Sequence, residues 1–181
     1  FALMPEEYVI LVNEDDDEIG QLEKMEAHRR GELHRAFSVL IFNTAGELLL
    51  QQRAAHKYHS PLLWTNACCS HQRPGETTLM AAQRRLQEEM GMTAHLQAAF
   101  RFIYKAELDQ GLTEHELDHV VFGYSDQAPQ INSEEVAAYK WIGLSELLQD
   151  LKNNPHGYTA WFQILLNEHV DKIAKAANES M

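Results

Sequence analysis

The chain has 181 residues, 45% hydrophobic and 23% charged, with a formal net charge of −12. That length suits one domain with a full core, and the charge argues against nucleic acid or an anionic membrane as the main partner. No apolar run approaches a membrane span, no signal-peptide pattern opens the chain, and the only cysteines, Cys68 and Cys69, are neighbours that cannot staple a fold. Reduced thiols in a charged chain make the cytoplasm the expected location.

Residues 1–7 are read as a flexible lead-in and carry no weight. Tyr8–Asn13 reads as a buried strand, Glu14–Glu18 as a solvated acidic loop, and Gln21–Ala27 as a short helical piece containing Lys24. Ala36–Asn43 and Glu47–Gln52 are β-rich runs joined by the hairpin signal Asn43-Thr44-Ala45-Gly46. A polar segment, Arg53–Pro61, carries His56, Lys57 and His59. Pro74-Gly75 marks a turn before an amphipathic helix over Glu76–Met90, where Leu79, Ala82, Leu86 and Met90 recur at helical spacing and Gly91 sits at the C-cap. Glu88 and Glu89 fall one turn after Arg84 and Arg85, so each carboxylate gains a basic neighbour. Ala98–Ala106 and Glu114–Tyr124 read as a strand pair turning at Asp109-Gln110-Gly111, and Ala137–Ile142 as another strand. Ser145 can cap a helix from Glu146 to about Asn153, and a last helix, Thr159–Ala177, carries Trp161, Phe162, Leu165, Leu166, Val170 and Ile173 on one face. Helices set between hairpin-connected strands give an α/β layered domain.

The residues that could carry chemistry are dispersed. His28, His34 and His71 lie near the ends of elements, and Glu114 and Glu116, two apart on a strand, share a side. Three imidazoles and two carboxylates suit a six-coordinate divalent ion with one open position. Spacing does not bring them together, and taken singly each histidine reads as a surface or hydrogen-bonded residue and the Glu-x-Glu pair as the wet side of an edge strand. Cys68 reads as a small buried hydrophobe, and Cys69, beside Ser70-His71 in a polar turn, as an acid–base or nucleophilic thiol. Trp161 reads as core unless a cation needs its face.

The stretch from Glu76 through seven residues to Arg84-Arg85-Leu86-Gln87-Glu88-Glu89-Met90-Gly91 resembles the Nudix box, with Ser70 where an opening glycine is expected and Arg85 where a glutamate is expected. Further motifs extend the likeness: Leu22-Glu23-Lys24 with Ala27-His28, Leu33-His34-Arg35-Ala36-Phe37-Ser38, Gln52-Arg53 with Lys57, Trp64-Thr65-Asn66-Ala67-Cys68-Cys69-Ser70-His71, Glu114-His115-Glu116 and Trp161. Together they resemble the type I isopentenyl-diphosphate isomerases, metal-dependent members of the Nudix fold, whose domain is a mixed-sheet α+β sandwich. Isomerases of this type share both departures from the box.

The resemblance implies interconversion of isopentenyl and dimethylallyl diphosphate through a carbocation-like state. It assigns the acid–base pair to Cys69 and Glu116, assistance to Tyr104, and cation stabilisation to the face of Trp161, worth about 2 kcal/mol or more when desolvated. It implies a divalent ion (Mn, Zn or Mg) on His28, His34, His71, Glu114 and Glu116. A Mg ion would join Glu89 to the diphosphate, and Lys24, Arg53, Lys57 and Arg85 would hold the phosphate oxygens. The expected partner is a small isoprenoid diphosphate, with no nucleic acid and no membrane, and the expected state is a monomer or weak dimer. A Nudix pyrophosphohydrolase and a catalytically silent ligand-binding relative are the alternatives.

Overall fold

The computed structural model describes residues 7–181, so the reading of residues 1–6 as flexible lies outside the described residues. Glu7 is held, its carboxylate 3.3 Å from the Lys24 ammonium. The strands are β1 (Tyr8–Val12), β2 (Glu18–Glu23), β3 (His34–Phe42), β4 (Glu47–Arg53), β5 (Trp64–Thr65), β6 (Cys68–Ser70), β7 (His95–Glu107), β8 (Thr113–Tyr124) and β9 (Val136–Gly143). The helices are α1 (Lys24–Arg30), α2 (Thr78–Met90), α3 (Leu144–Asn153) and α4 (Ala160–Ser180). Among the described residues no helix is long and apolar enough to cross a membrane.

The organising strand is β3, whose core positions are apolar on both faces and which therefore sits inside the sheet. It runs parallel to β8 in the register His34↔Glu116, Ala36↔Asp118, and antiparallel to β6 through Ser38↔Cys69. β7 pairs with the far side of β8, Tyr104 opposite Glu116, and β4 continues the sheet to β9. Period-two alternation then sorts β3 between two cores. Leu40 and Phe42 pack under α3 and α4 with Leu165, Leu166 and Ile173, while Phe37, Val39 and Ile41 pack under α2 with Ala82, Leu86 and Met90.

Several boundaries differ from those read in the sequence. Gln21–Glu23 belongs to β2, and α1 begins at Lys24 because the Glu23 carboxylate accepts from the Met25 and Glu26 amides, capping the helix there. α2 begins at Thr78 rather than Glu76, capped by Thr77, and Leu79 is exposed while Ala81 joins the buried face. Ser145 lies inside α3, whose N-cap is Gly143, and makes no cap bond. Cys69 stands in strand β6, not in a turn. Gly91 adopts the left-handed conformation expected of the α2 C-cap, with φ 58°.

Candidate active site and metal centre

The floor of the site is a cluster of histidines delivered by three separate elements. His28 rides on α1, His34 opens β3, and His71 follows β6 directly. Their ring centroids lie 5.0–5.5 Å apart, and one nitrogen from each falls within 4.8 Å of the other two. The His28 Nδ1–H donates to the Lys24 carbonyl at 2.6 Å and the His34 Nδ1–H to the Glu32 carbonyl at 2.8 Å. Both rings therefore keep Nε2 as the free lone pair, and the Nε2 atoms of all three are buried without a hydrogen-bond partner. Burial holds all three below the ordinary imidazole pKa, His34 and His71 well below it. Neutral rings with orphaned lone pairs turned to one point are the donor set a divalent ion requires.

Two carboxylates complete that floor. Glu114 and Glu116 are buried because β8 is internal, flanked by β3 and β7; the expectation of a wet edge strand is thereby corrected. Glu116 Oε2 stands 3.3 Å from His71 Nε2 and 3.7 Å from His34 Nε2, close contacts without hydrogen-bond geometry. The Tyr104 hydroxyl lies 2.8 Å from Glu114 and 2.9 Å from Glu116. It has one proton for two acceptors, so the pair is short of positive charge. Burial pushes Glu116 up to about 7, and burial with the neighbouring Glu116 charge pushes Glu114 well above the carboxylate range. Glu116 thus joins the histidine cluster, Glu114 is tied to Glu116 through Tyr104, and the strain of holding both carboxylates buried is what a cation would relieve.

Across β3, Cys69 sits in a cradle of its own. The Trp161 Nε1–H donates to Sγ at 3.2 Å, and Sγ lies 3.0 Å from Asn66 Oδ1 and 3.5 Å from Ser38 Oγ. The Asn66 amide is oriented by donating to the Val39 and Cys68 carbonyls, so its oxygen faces the thiol as an acceptor. Thr159 ties the start of α4 to this cradle, its hydroxyl donating to Thr65 Oγ1 at 3.0 Å and its amide to the Trp64 carbonyl at 3.0 Å. That anchoring delivers Trp161, two residues on, to the sulfur. Burial, followed by the nearby Asp118, raises the Cys69 thiol above its ordinary pKa and keeps it protonated. Ser38 donates to Asp118 at 2.6 Å, and burial lifts that carboxyl to about 8.

The rim is basic. Lys24 lies 5.2 Å from the Tyr58 ring, and the Arg53 guanidinium lies 5.3 Å from the Trp161 ring while donating to the His59 carbonyl at 3.2 Å. Lys57 pairs with Glu135, and Arg85 donates to Glu88 at 2.9 Å and to the buried Glu89 at 2.7 Å. The Nε–H groups of Arg53 and Arg85 are buried without an acceptor. All four cations, with Cys69, Glu116 and Trp161, line one cleft of about 540 Å³ that is open to solvent, while His28 and His34 lie buried outside its lining. A −12 chain has collected four cations at one mouth.

Five residues of this neighbourhood are given no role by the sequence: His59, Ser38, Asp118, Asn66 and Glu135, although Ser38 and Asn66 stand within the motifs that carry the likeness. His59, which the sequence places only in a polar segment, is buried, its Nε2 3.9 Å from Glu114 and its ring edge-on to Trp161. Burial and then the Arg53 charge hold it neutral, near a pKa of about 2. Asp118 had a signal, since it continues the period-two series Glu114, Glu116. His59 had none. Ser70 has ordinary extended geometry in β6, so nothing there requires the glycine of the general box.

Comparison with known proteins bears on this arrangement. A family model described as the NUDIX domain matches residues 32–162. The isopentenyl-diphosphate Delta-isomerase of Pectobacterium atrosepticum is 53% identical over 161 residues, covering 89% of this chain and 90% of the relative. Isopentenyl-diphosphate Delta-isomerase 1 of Aromatoleum aromaticum is 51% identical, covering 90% and 92%. Among solved structures, a protein of Deinococcus radiodurans superposes with a TM-score of 0.74 at 19% identity, covering 90% of this chain and 99% of its own, a likeness of fold alone.

Proposed function

This chain belongs to the isopentenyl-diphosphate Delta-isomerases of the NUDIX family, and from that premise we propose how its own residues move the double bond. The chain is an isomerase, converting isopentenyl diphosphate to dimethylallyl diphosphate and back. A proton adds to C4 of the substrate, the positive charge develops at the tertiary C3, and a proton leaves C2; no atom is gained or lost. Cys69 and Glu116 are the pair that exchange these protons, one giving and the other taking, with the roles reversed in the return reaction. The observation that carries this reading is the 3.2 Å bond from the Trp161 indole to the Cys69 sulfur, in the cleft that also holds Glu116. It sets a proton donor against the electron-rich ring that the C3 cation needs. Burial alone lifts the Glu116 carboxyl above the ordinary carboxylate range, the charge of a bound ion would draw it back toward the ionised base, and Tyr104 steadies whichever oxygen is ionised.

His28, His34, His71, Glu114 and Glu116 would hold one divalent ion, Mn, Zn or Mg, and Glu89 with the substrate diphosphate a Mg ion. Bound there, such ions supply the positive charge that keeps neighbouring carboxylates ionised and neutralises phosphate oxygens. The chain's own contribution at the rim is the grip of Lys24, Arg53, Lys57 and Arg85, with the two unpartnered guanidinium Nε–H groups as donors for phosphate oxygens. Arg85 in place of a box glutamate removes a metal carboxylate and adds a phosphate donor, which disfavours water activation and hydrolysis. The expected setting is the cytoplasm, with the isoprenoid diphosphate as partner.

The test is incubation of the protein with Mg and isopentenyl diphosphate in D₂O, followed by NMR. Deuterium enters the allylic product and no phosphate is released. Phosphate release, or product without solvent label, would overturn the reading.

A further inference from the structure

Glu135 has no part in the machinery described so far, yet it touches two members of the cationic rim. Its backbone is pinned at both ends of the peptide: the N–H donates to the Asn132 carbonyl at 2.9 Å, and the carbonyl accepts from the Ala54 N–H at 3.2 Å. That places the carboxylate over the turn leaving β4, where it pairs with the Lys57 ammonium and stands 3.4 Å from Arg85 Nη2. The two cations differ in what else they hold. Arg85 keeps Glu88 and Glu89 as partners, whereas Lys57 has Glu135 as its one ion-pair partner among the described residues. The Lys57, Arg85 and Glu135 side chains are 18%, 16% and 26% exposed, so water screens the contact only in part and a ligand can still reach it. Burial acts to raise the Glu135 pKa, and the bonds to Lys57 and Arg85 outweigh it, keeping the group ionised.

We infer that Glu135 is a built-in competitor for the substrate's diphosphate, occupying Lys57 and Arg85 until phosphate oxygens displace it and reclaiming them as the product leaves. An anionic side chain serves two ends at this position. It holds two like charges together in the empty cleft, and it subtracts from diphosphate affinity so that a grip of four cations still lets go. The inference rests on the reading of Lys57 and Arg85 as diphosphate ligands.

The experiment is inhibition of the metal-loaded isomerase by inorganic pyrophosphate, alongside steady-state kinetics, in the parent, Glu135→Gln, Glu135→Asp and Lys57→Met proteins. Glu135→Gln should bind pyrophosphate about fivefold tighter, with KM lowered and kcat lowered as release slows, an effect of the size expected for one partly screened ion pair. Glu135→Asp should return toward the parent. A change that merely loosened the fold would weaken pyrophosphate binding, so tighter binding is the diagnostic direction. Unchanged or weaker binding in Glu135→Gln overturns the inference, as does a raised Mg requirement, which would make Glu135 a metal ligand. If pyrophosphate fails to inhibit the parent and Lys57→Met leaves KM unchanged, it is the reading of the rim that falls.

Discussion

The floor and the rim of the cleft solve opposite electrostatic problems. The floor is dry: His28, His34, Glu114 and Glu116 are at most 5% exposed, and its histidine Nε2 atoms have no partner. The rim is half wet, and Lys24, Lys57 and Arg85 each lie within 3.5 Å of a carboxylate, Glu7, Glu135 or Glu89. A buried group left unsatisfied is costly, whereas an exposed ion pair is worth little. The floor is thus built to receive a cation, and the rim to exchange one anion for another at small net cost.

The largest effect should come from the floor's far wall. Cys69→Ala removes a proton carrier without disturbing the small strand β6, and should lower kcat by about a thousandfold while the melting temperature changes little. Retained turnover at the parent's rate would detach Cys69 from the chemistry. Next, His34→Ala should abolish stoichiometric binding of the divalent ion, read by elemental analysis after gel filtration, and with it most of the activity. Trp161 sharpens the contrast between shape and charge. Trp161→Ala should cost about thirtyfold in kcat, the kinetic equivalent of a desolvated cation–π contact, while Trp161→Phe keeps a ring, loses the bond to Cys69 and should fall between. Rim substitutions should be milder and appear in KM, with Lys57→Met raising it about tenfold.

The smallest effect concerns stability and pH. Burial lifts the Asp118 carboxyl from its ordinary value of about 4 to about 8 in the folded chain. The folded state therefore binds this proton more tightly than the unfolded state. Its stabilising contribution is full below about pH 4 and is lost as pH rises through about 8. Asp118→Asn should accordingly gain stability relative to the parent between pH 5 and pH 8.5, measured by urea unfolding of the metal-free proteins; a constant difference would place the carboxyl at an ordinary pKa.

The sequence carried the longer strands, the box helix and the family likeness, because those depend on local periodicity and contiguous motifs, but it missed β2, β5 and β6. It could not carry convergence. His28, His34 and His71 meet only because α1, β3 and β6 are brought together by pairing across β3, a fact held in register and not in spacing. β6 was invisible for the same reason: three small residues, Cys68-Cys69-Ser70, have no strand pattern of their own and become extended by bonding to β3. Glu114 and Glu116 were misjudged as wet since alternation reports a shared face and not what covers it. His59 lies in an irregular loop with no period to read, and its burial follows from packing against Trp161, far along the chain.

One consequence of the β3 register concerns how such a site can change over evolutionary time. His34, Ala36 and Ser38 share a face that reaches the metal floor at one end and the Cys69 cradle at the other. A one-residue slip of β3 against its neighbours would turn all of these side chains to the opposite face at once. Ion binding and proton transfer would then fail together, and neither could be traded against the other by length variation. Insertions and deletions should be tolerated beyond the strand, as in the turn 43–46, which carries no ligand of the floor, no cation of the rim and not the thiol.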